Sequence, residues 1–378
     1  MLISPEMKKL PFIVFFLKTT EVGGAELSIL NLLRFLSAEG WPIGVVTSRG
    51  GELFETYVSL AKDHLTIGIP YPRKPLSWLR IMPFRMGVEN FLRRHGTRHV
   101  LFASDFYELW STLLVKRDGR SIVSLWQSEY DFGSDRCVRK WTQYGANRAD
   151  LLLACDPVAH HANNSRRFLG EVGALNPRID EDRFDSAKYD RRMIRLSLGW
   201  PPEAHIAICV GRVGKGKGQI ELAEKFLKEC RFPANARLVI VGPCDSADLA
   251  RLRQLECEGC GRLIVYGARG DIPQLLAASD LAVQPGSLSE SFGLSALEAC
   301  LMKLPLLAYK VGALPFNLGH HYPGIFPASE PARLMEAWIG LSRGTGTVVG
   351  WDIREEIVSR YGASSWQKKV TGIFQKLI

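Results

Sequence analysis

Leu281-Ala-Val-Gln284 is followed by Pro285-Gly286 and then by Ser287-Leu-Ser-Glu-Ser-Phe-Gly-Leu-Ser-Ala-Leu-Glu-Ala-Cys300. An apolar run, a chain-turning pair and a helical stretch succeed one another. A short apolar run bounded by turn residues suits a strand buried on both faces, the usual state in parallel sheets joined by helical crossovers. Runs of the same kind recur on either side, at His205–Val210, Leu238–Val241, Leu263–Tyr266 and Leu304–Ala308. An earlier series comprises Phe12–Leu17, Pro42–Thr47, Leu65–Ile69, His99–Ala103, Ile122–Leu125 and Leu151–Ala154. Between the members of that first series the pattern predicts helices near 24–38, 52–62, 77–95, 106–116, 136–147 and 157–168.

This alternation specifies an α/β protein with doubly wound sheets. A length of 378 residues accommodates two such domains. The polar stretch Asn176–Asp190 reads as the linker. The expected division is a Rossmann-like domain over 1–185, a second over 186–350, and a helical segment over 351–378. In that last segment Ile353, Ile357, Val370, Phe374 and Leu377 recur at helical spacing, and it is expected to cross back to the first domain.

Composition narrows the function classes. With 46% hydrophobic and 23% charged residues the chain is globular, not disordered. Basic residues exceed acidic ones by 9, which suits an anionic partner. No apolar run approaches the roughly 20 residues needed to span a bilayer. Lys8-Lys9 before Leu10–Leu17 imitates a secretion signal, but Glu6 interrupts the basic segment and no small-residue cleavage site precedes Lys18. The reading is a buried first strand in a cytoplasmic protein. No nucleic-acid module backs the basic residues. Cys257-Glu-Gly-Cys260 is the sole CxxC and lacks a second pair at metal-binding spacing, so no metal site is expected.

In open α/β sheets, ligands bind beyond the carboxyl ends of the strands. Gly23-Gly24 follows the first strand and leaves bare backbone where a helix begins. Gly211-x4-Gly216-Lys217 imitates a P-loop, yet Gly218 stands where a P-loop requires Ser or Thr for Mg²⁺. Arg212 and Lys217 suit a diphosphate instead, Arg as a fork and Lys as a point charge. Glu290 and Glu298 are separated by seven residues. Ser291, Ser295 and Glu298 read as one polar stripe on a helix, with Glu298 leaning back towards Glu290. A carboxylate on an otherwise apolar helix needs donors, and sugar or ribose hydroxyls are suitable. The N–H groups near Phe292–Leu294 suit a phosphate.

Val210-Gly-Arg212, Lys217-Gly218, Asp280-Leu-Ala-Val-Gln-Pro285 and Glu290-x7-Glu298 resemble the donor domain of retaining GT-B glycosyltransferases, family 4. Leu238-Val-Ile-Val-Gly242, Tyr266-Gly-Ala-Arg-Gly-Asp-Ile-Pro273 and the helix Gln274–Ser279 follow in that family's order. Gly23-Gly-Ala-Glu26 resembles its first glycine turn, and Asn176-Pro-Arg-Ile-Asp180 its interdomain segment. The resemblance implies a GT-B fold, two doubly wound Rossmann-like domains facing across a cleft. The first would hold the acceptor and the second a nucleotide-diphosphate sugar. It implies that Arg212 and Lys217 hold the donor diphosphate in place of a metal, and that Glu290 contacts the transferred sugar. Glu298 would hold the ribose, and Phe292, Gly293 and Leu294 would line the donor site. Gly23 and Gly24 would admit close approach to the diphosphate.

Gln127 stands where the family often has a His, which leaves Gln127, Glu129 and Asp131 as candidates for contacting the acceptor. The expected activity is retaining, metal-independent transfer of a sugar to an acceptor hydroxyl, with no cofactor, in cell-envelope polysaccharide, lipopolysaccharide or glycolipid synthesis. A nucleotide-sugar epimerase or hydrolase on the same scaffold is the alternative, with a P-loop nucleotide-binding protein more remote. Within residues 71–98, Arg73, Lys74, Arg80, Arg85, Arg93, Arg94 and Arg98 oppose Glu89 alone and interleave with Tyr71, Trp78, Ile81, Met82, Phe84 and Phe91. Such a stretch fits peripheral attachment to an anionic membrane on its cytoplasmic face, or a solvated helix covering the sheet.

Overall fold

The computed structural model describes residues 10–17, 20, 24–48, 50–70, 77–104, 106–126, 144–145, 147–155, 171–287, 290–347 and 351–377. Two compact units divide the chain: Met1–Arg178 with Ser364–Ile378, and Ile179–Ala363.

The first unit is built on a seven-stranded parallel sheet. Its strands are β1 (Phe12–Leu17), β2 (Ile43–Thr47), β3 (Asp63–Thr66), β4 (His99–Ala103), β5 (Arg120–Trp126), β6 (Leu151–Ala154) and β7 (Glu171–Ala174). They lie in the order β3-β2-β1-β4-β5-β6-β7. Every residue of β1 is buried, as an unbroken apolar run in a central strand requires. Alternation splits them between two cores. Ile13, Phe15 and Leu17 join one, while Phe12, Val14 and Phe16 join the other.

The first core is completed by the C-terminal helix Ala363–Gln375 through Trp366, Val370 and Phe374. Trp366 Nε1 donates to the Asn176 carbonyl at 3.0 Å, and the Phe374 ring meets Trp41 edge-on at 5.7 Å. The opposite core takes Phe84, Val88, Phe91 and Leu92 from the helix Ile81–Arg93.

The third strand starts two residues earlier than the expected Leu65–Ile69. The ladder runs from Gly44↔Asp63 to Thr47↔Thr66 and stops because β2 ends at Thr47, leaving Ile69 buried beyond its partner's reach. The short strand β7 was not anticipated, since Glu171-Val-Gly-Ala174 contains no apolar run. The helices expected near 136–147 and 157–168 fall almost wholly outside the described residues.

The second unit holds a six-stranded parallel sheet: β8 (His205–Val210), β9 (Ala236–Val241), β10 (Leu263–Tyr266), β11 (Leu281–Gln284), β12 (Leu306–Tyr309) and β13 (Ile325–Phe326). The order is β10-β9-β8-β11-β12-β13, so the winding reverses between β8 and β11. Ahead of β11, Asp280 accepts from the Ile206 N–H at 2.7 Å, from Arg195 at 2.6 Å and from Arg191. Arg195 is buried and also donates to the carbonyls of Ala278, Pro202 and Ala204 at 2.8, 2.8 and 2.9 Å. This network ties the helix Arg191–Ser197 to the amino edge of the two central strands, away from the loops at their carboxyl ends.

Candidate functional site

The loops leaving β8 and β11 emerge side by side where the sheet's winding reverses, the position at which open α/β sheets bind ligands. After β8 the chain passes Arg212 and turns at Gly214–Lys217 before entering the helix Gln219–Lys228. Gly218 caps that helix with φ +78°, and a β-carbon there would stand 2.4 Å from the Pro285 carbonyl oxygen. The Ser or Thr of a P-loop therefore has no room, which gives the physical reason for the departure noted in the sequence. The Ser287 N–H donates to the Gly216 carbonyl at 3.2 Å and laces the two loops together.

Lys217 Nζ donates to Glu290 Oε2 at 2.9 Å. Both line a solvent-open depression, together with Gln284, Ser295, Val311 and Leu314. Behind Glu290, its carbonyl accepts from the Ala313 N–H at 2.8 Å. A β-carbon on Gly312, where φ is +52°, would stand 2.2 Å from that same oxygen. The backbone of Glu290 is thus gripped from behind while its carboxylate faces the depression.

Gln284 was overlooked in the sequence. Its Nε2 donates to the Val210 carbonyl at 3.1 Å and to Ser295 Oγ at 2.9 Å, fastening the end of β8 to the first turn of the helix Leu294–Leu301. Gln219 was overlooked too. It is buried, and its Nε2 donates to the Arg212 carbonyl at 3.0 Å. An amide at the end of an apolar strand, and another just inside a helix, were the available signals.

The helix begins at Leu294, so Ser291 lies in the loop and the expected stripe reduces to Ser295 and Glu298. Phe292 places its side chain in the core, edge-on to Tyr361 at 5.1 Å, and its carbonyl accepts from Asn317 at 2.7 Å. The N–H groups of Phe292, Gly293 and Leu294 have no acceptor among the described residues, which leaves three donors at a helix N-terminus.

Glu298 does not line the depression that holds Glu290. It is half-buried, and its carboxyl accepts no hydrogen bond from the described residues. Desolvation pushes its pKa up to about 7, with Arg183 pulling it down and Asp180 adding to the rise. Arg212 is exposed, with no carboxylate within 4.0 Å among the described residues. Gly24 opens the helix Gly24–Ala38 after β1. Gly23, Gln127, Glu129 and Asp131 lie outside the described residues, as does 71–76.

Among the described residues no group of three or more His, Cys, Asp or Glu side chains is placed to hold a metal ion. The described cysteines, Cys257 and Cys260 included, are free thiols. No described helix is long and apolar enough to cross a membrane.

Residues 204–343 match the family described as Glycosyl transferases group 1, and residues 22–162 match Glycosyltransferase Family 4. Over 184 residues the chain is 33% identical to D-inositol 3-phosphate glycosyltransferase 2 of Catenulispora acidiphila. That match covers 46% of this chain and 42% of the relative, so it spans less than half the relative's length. Two solved structures align over 97% of this chain and all of their own. Anabaena HepE, in complex with UDP, has a TM-score of 0.78 at 18% identity. The lipopolysaccharide outer core galactosyltransferase WaaB, in its apo form, has 0.71 at 14%. At such identities the likeness speaks for the fold, GT-B. The two family matches fall one in each half of the chain, and the protein belongs to the GT-B glycosyltransferases of group 1, family 4.

Proposed function

We propose that the protein is a retaining, metal-independent glycosyltransferase that moves a sugar from a nucleotide-diphosphate sugar to an acceptor hydroxyl. The observation that carries this reading is the Lys217–Glu290 pair at the switch point of the second sheet, beside a helix N-terminus whose N–H groups have no acceptor among the described residues. Arg212 and Lys217 supply the positive charge that a departing diphosphate needs, and the Phe292–Leu294 amides add oriented donors. Glu290 accepts hydrogen bonds from hydroxyls of the transferred sugar, and Glu298 from the ribose. In the transfer, the bond from the anomeric carbon to the diphosphate oxygen breaks and a bond to the acceptor oxygen forms on the same face. The acceptor's proton passes to the departing diphosphate, so no dedicated protein base is required.

The first domain, 1–185, holds the acceptor through Gln127, Glu129 and Asp131, with Gly23 and Gly24 approaching the diphosphate. The second, 186–350, holds the donor. The Catenulispora relative is named for an inositol 3-phosphate acceptor and WaaB for the lipopolysaccharide outer core, which supports an acceptor from cell-envelope polysaccharide, lipopolysaccharide or glycolipid synthesis. An acceptor carried on a lipid would bring the enzyme to the cytoplasmic face of a membrane as a peripheral protein.

Incubation with UDP-, GDP- and ADP-sugars and a panel of polyol and glycolipid acceptors, with and without a chelator, tests the assignment. The expected product is a glycoside with the donor's anomeric configuration, formed equally well with the chelator present. Free sugar or an epimer as product, or near-normal turnover in both Arg212→Ala and Lys217→Ala, overturns it.

A further inference from the structure

We propose that the outward face of the segment Ser77–Arg93 is a docking surface for an anionic lipid bilayer. The segment is a 3₁₀ turn, Ser77–Arg80, running directly into the helix Ile81–Arg93. Its inner side is fixed to the sheet by Phe84, Val88, Phe91 and Leu92, all at most 1% exposed. The other side should then be polar, because no described residue covers it. Instead Leu79, Met82 and Met86 stand 53%, 62% and 61% exposed, three of the eight large hydrophobic side chains exposed among the described residues. Single exposed apolar residues are ordinary; three along one continuous helical segment form a stripe.

Charge selects the partner. Arg80, Arg85 and Arg93 are exposed around this stripe, and none has a carboxylate within 4.0 Å among the described residues. The helix's one acid, Glu89, is turned inward and takes both nitrogens of Arg120 at 2.8 Å. Arg120 holds its carboxyl below the usual range. The outward face therefore pairs an apolar stripe with positive charge that the helix itself does not neutralise. An anionic bilayer answers both features: acyl chains receive Leu79, Met82 and Met86, while the arginine stems lie along the interface with their guanidinium groups on the headgroups. A symmetric contact with a second copy would set these arginines against one another. The docking serves the lipid-carried acceptor proposed above, yet binding to vesicles needs neither donor nor acceptor, so either reading can fail without the other.

Co-sedimentation of the full chain with vesicles of phosphatidylcholine alone, and of phosphatidylcholine with phosphatidylglycerol, tests the proposal. The protein is expected to partition only onto the anionic vesicles, and less so as salt rises. Combining Arg80→Gln, Arg85→Gln and Arg93→Gln is expected to weaken partition on the order of a hundredfold. Combining Leu79→Gln, Met82→Gln and Met86→Gln is expected to weaken it as well, with the thermal unfolding midpoint of both variants close to that of the parent. Equal partition onto both vesicles, none onto either, or unchanged partition of either variant overturns the proposal. Should a variant fail to fold, parent binding to anionic vesicles that does not fall with salt overturns it too. A concentration-dependent dimer that is lost in the apolar variant, without vesicle binding, assigns the face to self-association instead.

Discussion

Lys217 Nζ and Glu290 Oε2 meet at 2.9 Å and join the loop after β8 to the loop after β11. With 45% and 30% of their side chains exposed, the two contribute little to stability. In the proposed reaction a diphosphate takes over Lys217 and leaves Glu290 to the sugar hydroxyls. Lys217→Ala is therefore expected to lower turnover at saturating donor by about 10²–10³. Its thermal unfolding midpoint should remain near the parent's. Measuring both on one preparation separates a lost charge from a damaged fold.

Glu298 faces an opposite pair of demands in the proposed site. To accept hydrogen bonds from both ribose hydroxyls its carboxylate would have to be charged, yet burial holds its pKa up at about 7 in the free protein. Donor affinity should therefore fall as pH drops below about 7, and Glu298→Gln should flatten that dependence while binding more weakly at pH 8. For stability the sign reverses. Folding raises this pKa above its value of 4.5, so between the two values the folded state holds more protons and stability declines as pH rises. Glu298→Gln is expected to unfold at a higher temperature than the parent at pH 8 and to match it near pH 4. Calorimetric donor titrations and thermal scans across pH check both.

Gly312 tests whether Glu290 needs its backbone held. A methyl group there would press on the Glu290 carbonyl oxygen and nitrogen, 2.2 and 2.5 Å from where it must sit, at a φ of +52° that side chains rarely adopt. Gly312→Ala should displace Glu290 and lower kcat at least tenfold, with a smaller change in donor KM. Because Lys217 and Arg212 are untouched, diphosphate binding by the free nucleotide should survive. Loss of nucleotide binding along with activity would mean that the whole loop, not Glu290 alone, had moved.

The sheet strands were legible because the interiors of β1, β8 and β11 are buried on both faces and must be apolar there. The edge strands β7 and β13 were not, because four and two residues of pairing demand no distinctive composition. At the site, the family resemblance implied that Lys217 and Glu290 attend one donor molecule, but not that they bond to each other. Gln284 could not be read in advance, since its role depends on Val210 and Ser295, 74 and 11 residues away, arriving within reach of one amide. The polar stripe failed at Ser291 for a local reason. Gly293, at φ +81°, caps the helix, which therefore starts at Leu294, three residues after Ser291.

Arg195 provides the last test, directed at the scaffold. The residue is 5% exposed and its guanidinium serves Asp280 and three carbonyls, so every buried charge in the cluster has a partner. Arg195→Ala strips Asp280 of one of its two cations and leaves the carbonyls of Ala278, Pro202 and Ala204 without this donor. The expected cost is about 2–4 kcal/mol, most of it from buried carbonyls losing their donor, since Asp280 keeps Arg191 and the Ile206 N–H. Arg195→Lys should recover only part, because one ammonium cannot span the four acceptors that a fork reaches. Urea denaturation followed by tryptophan fluorescence measures both, Trp200 reporting on this unit from within its core. A loss under 1 kcal/mol in Arg195→Ala would mean that water replaces the guanidinium without strain and that the strands β8 and β11 hold their register without it.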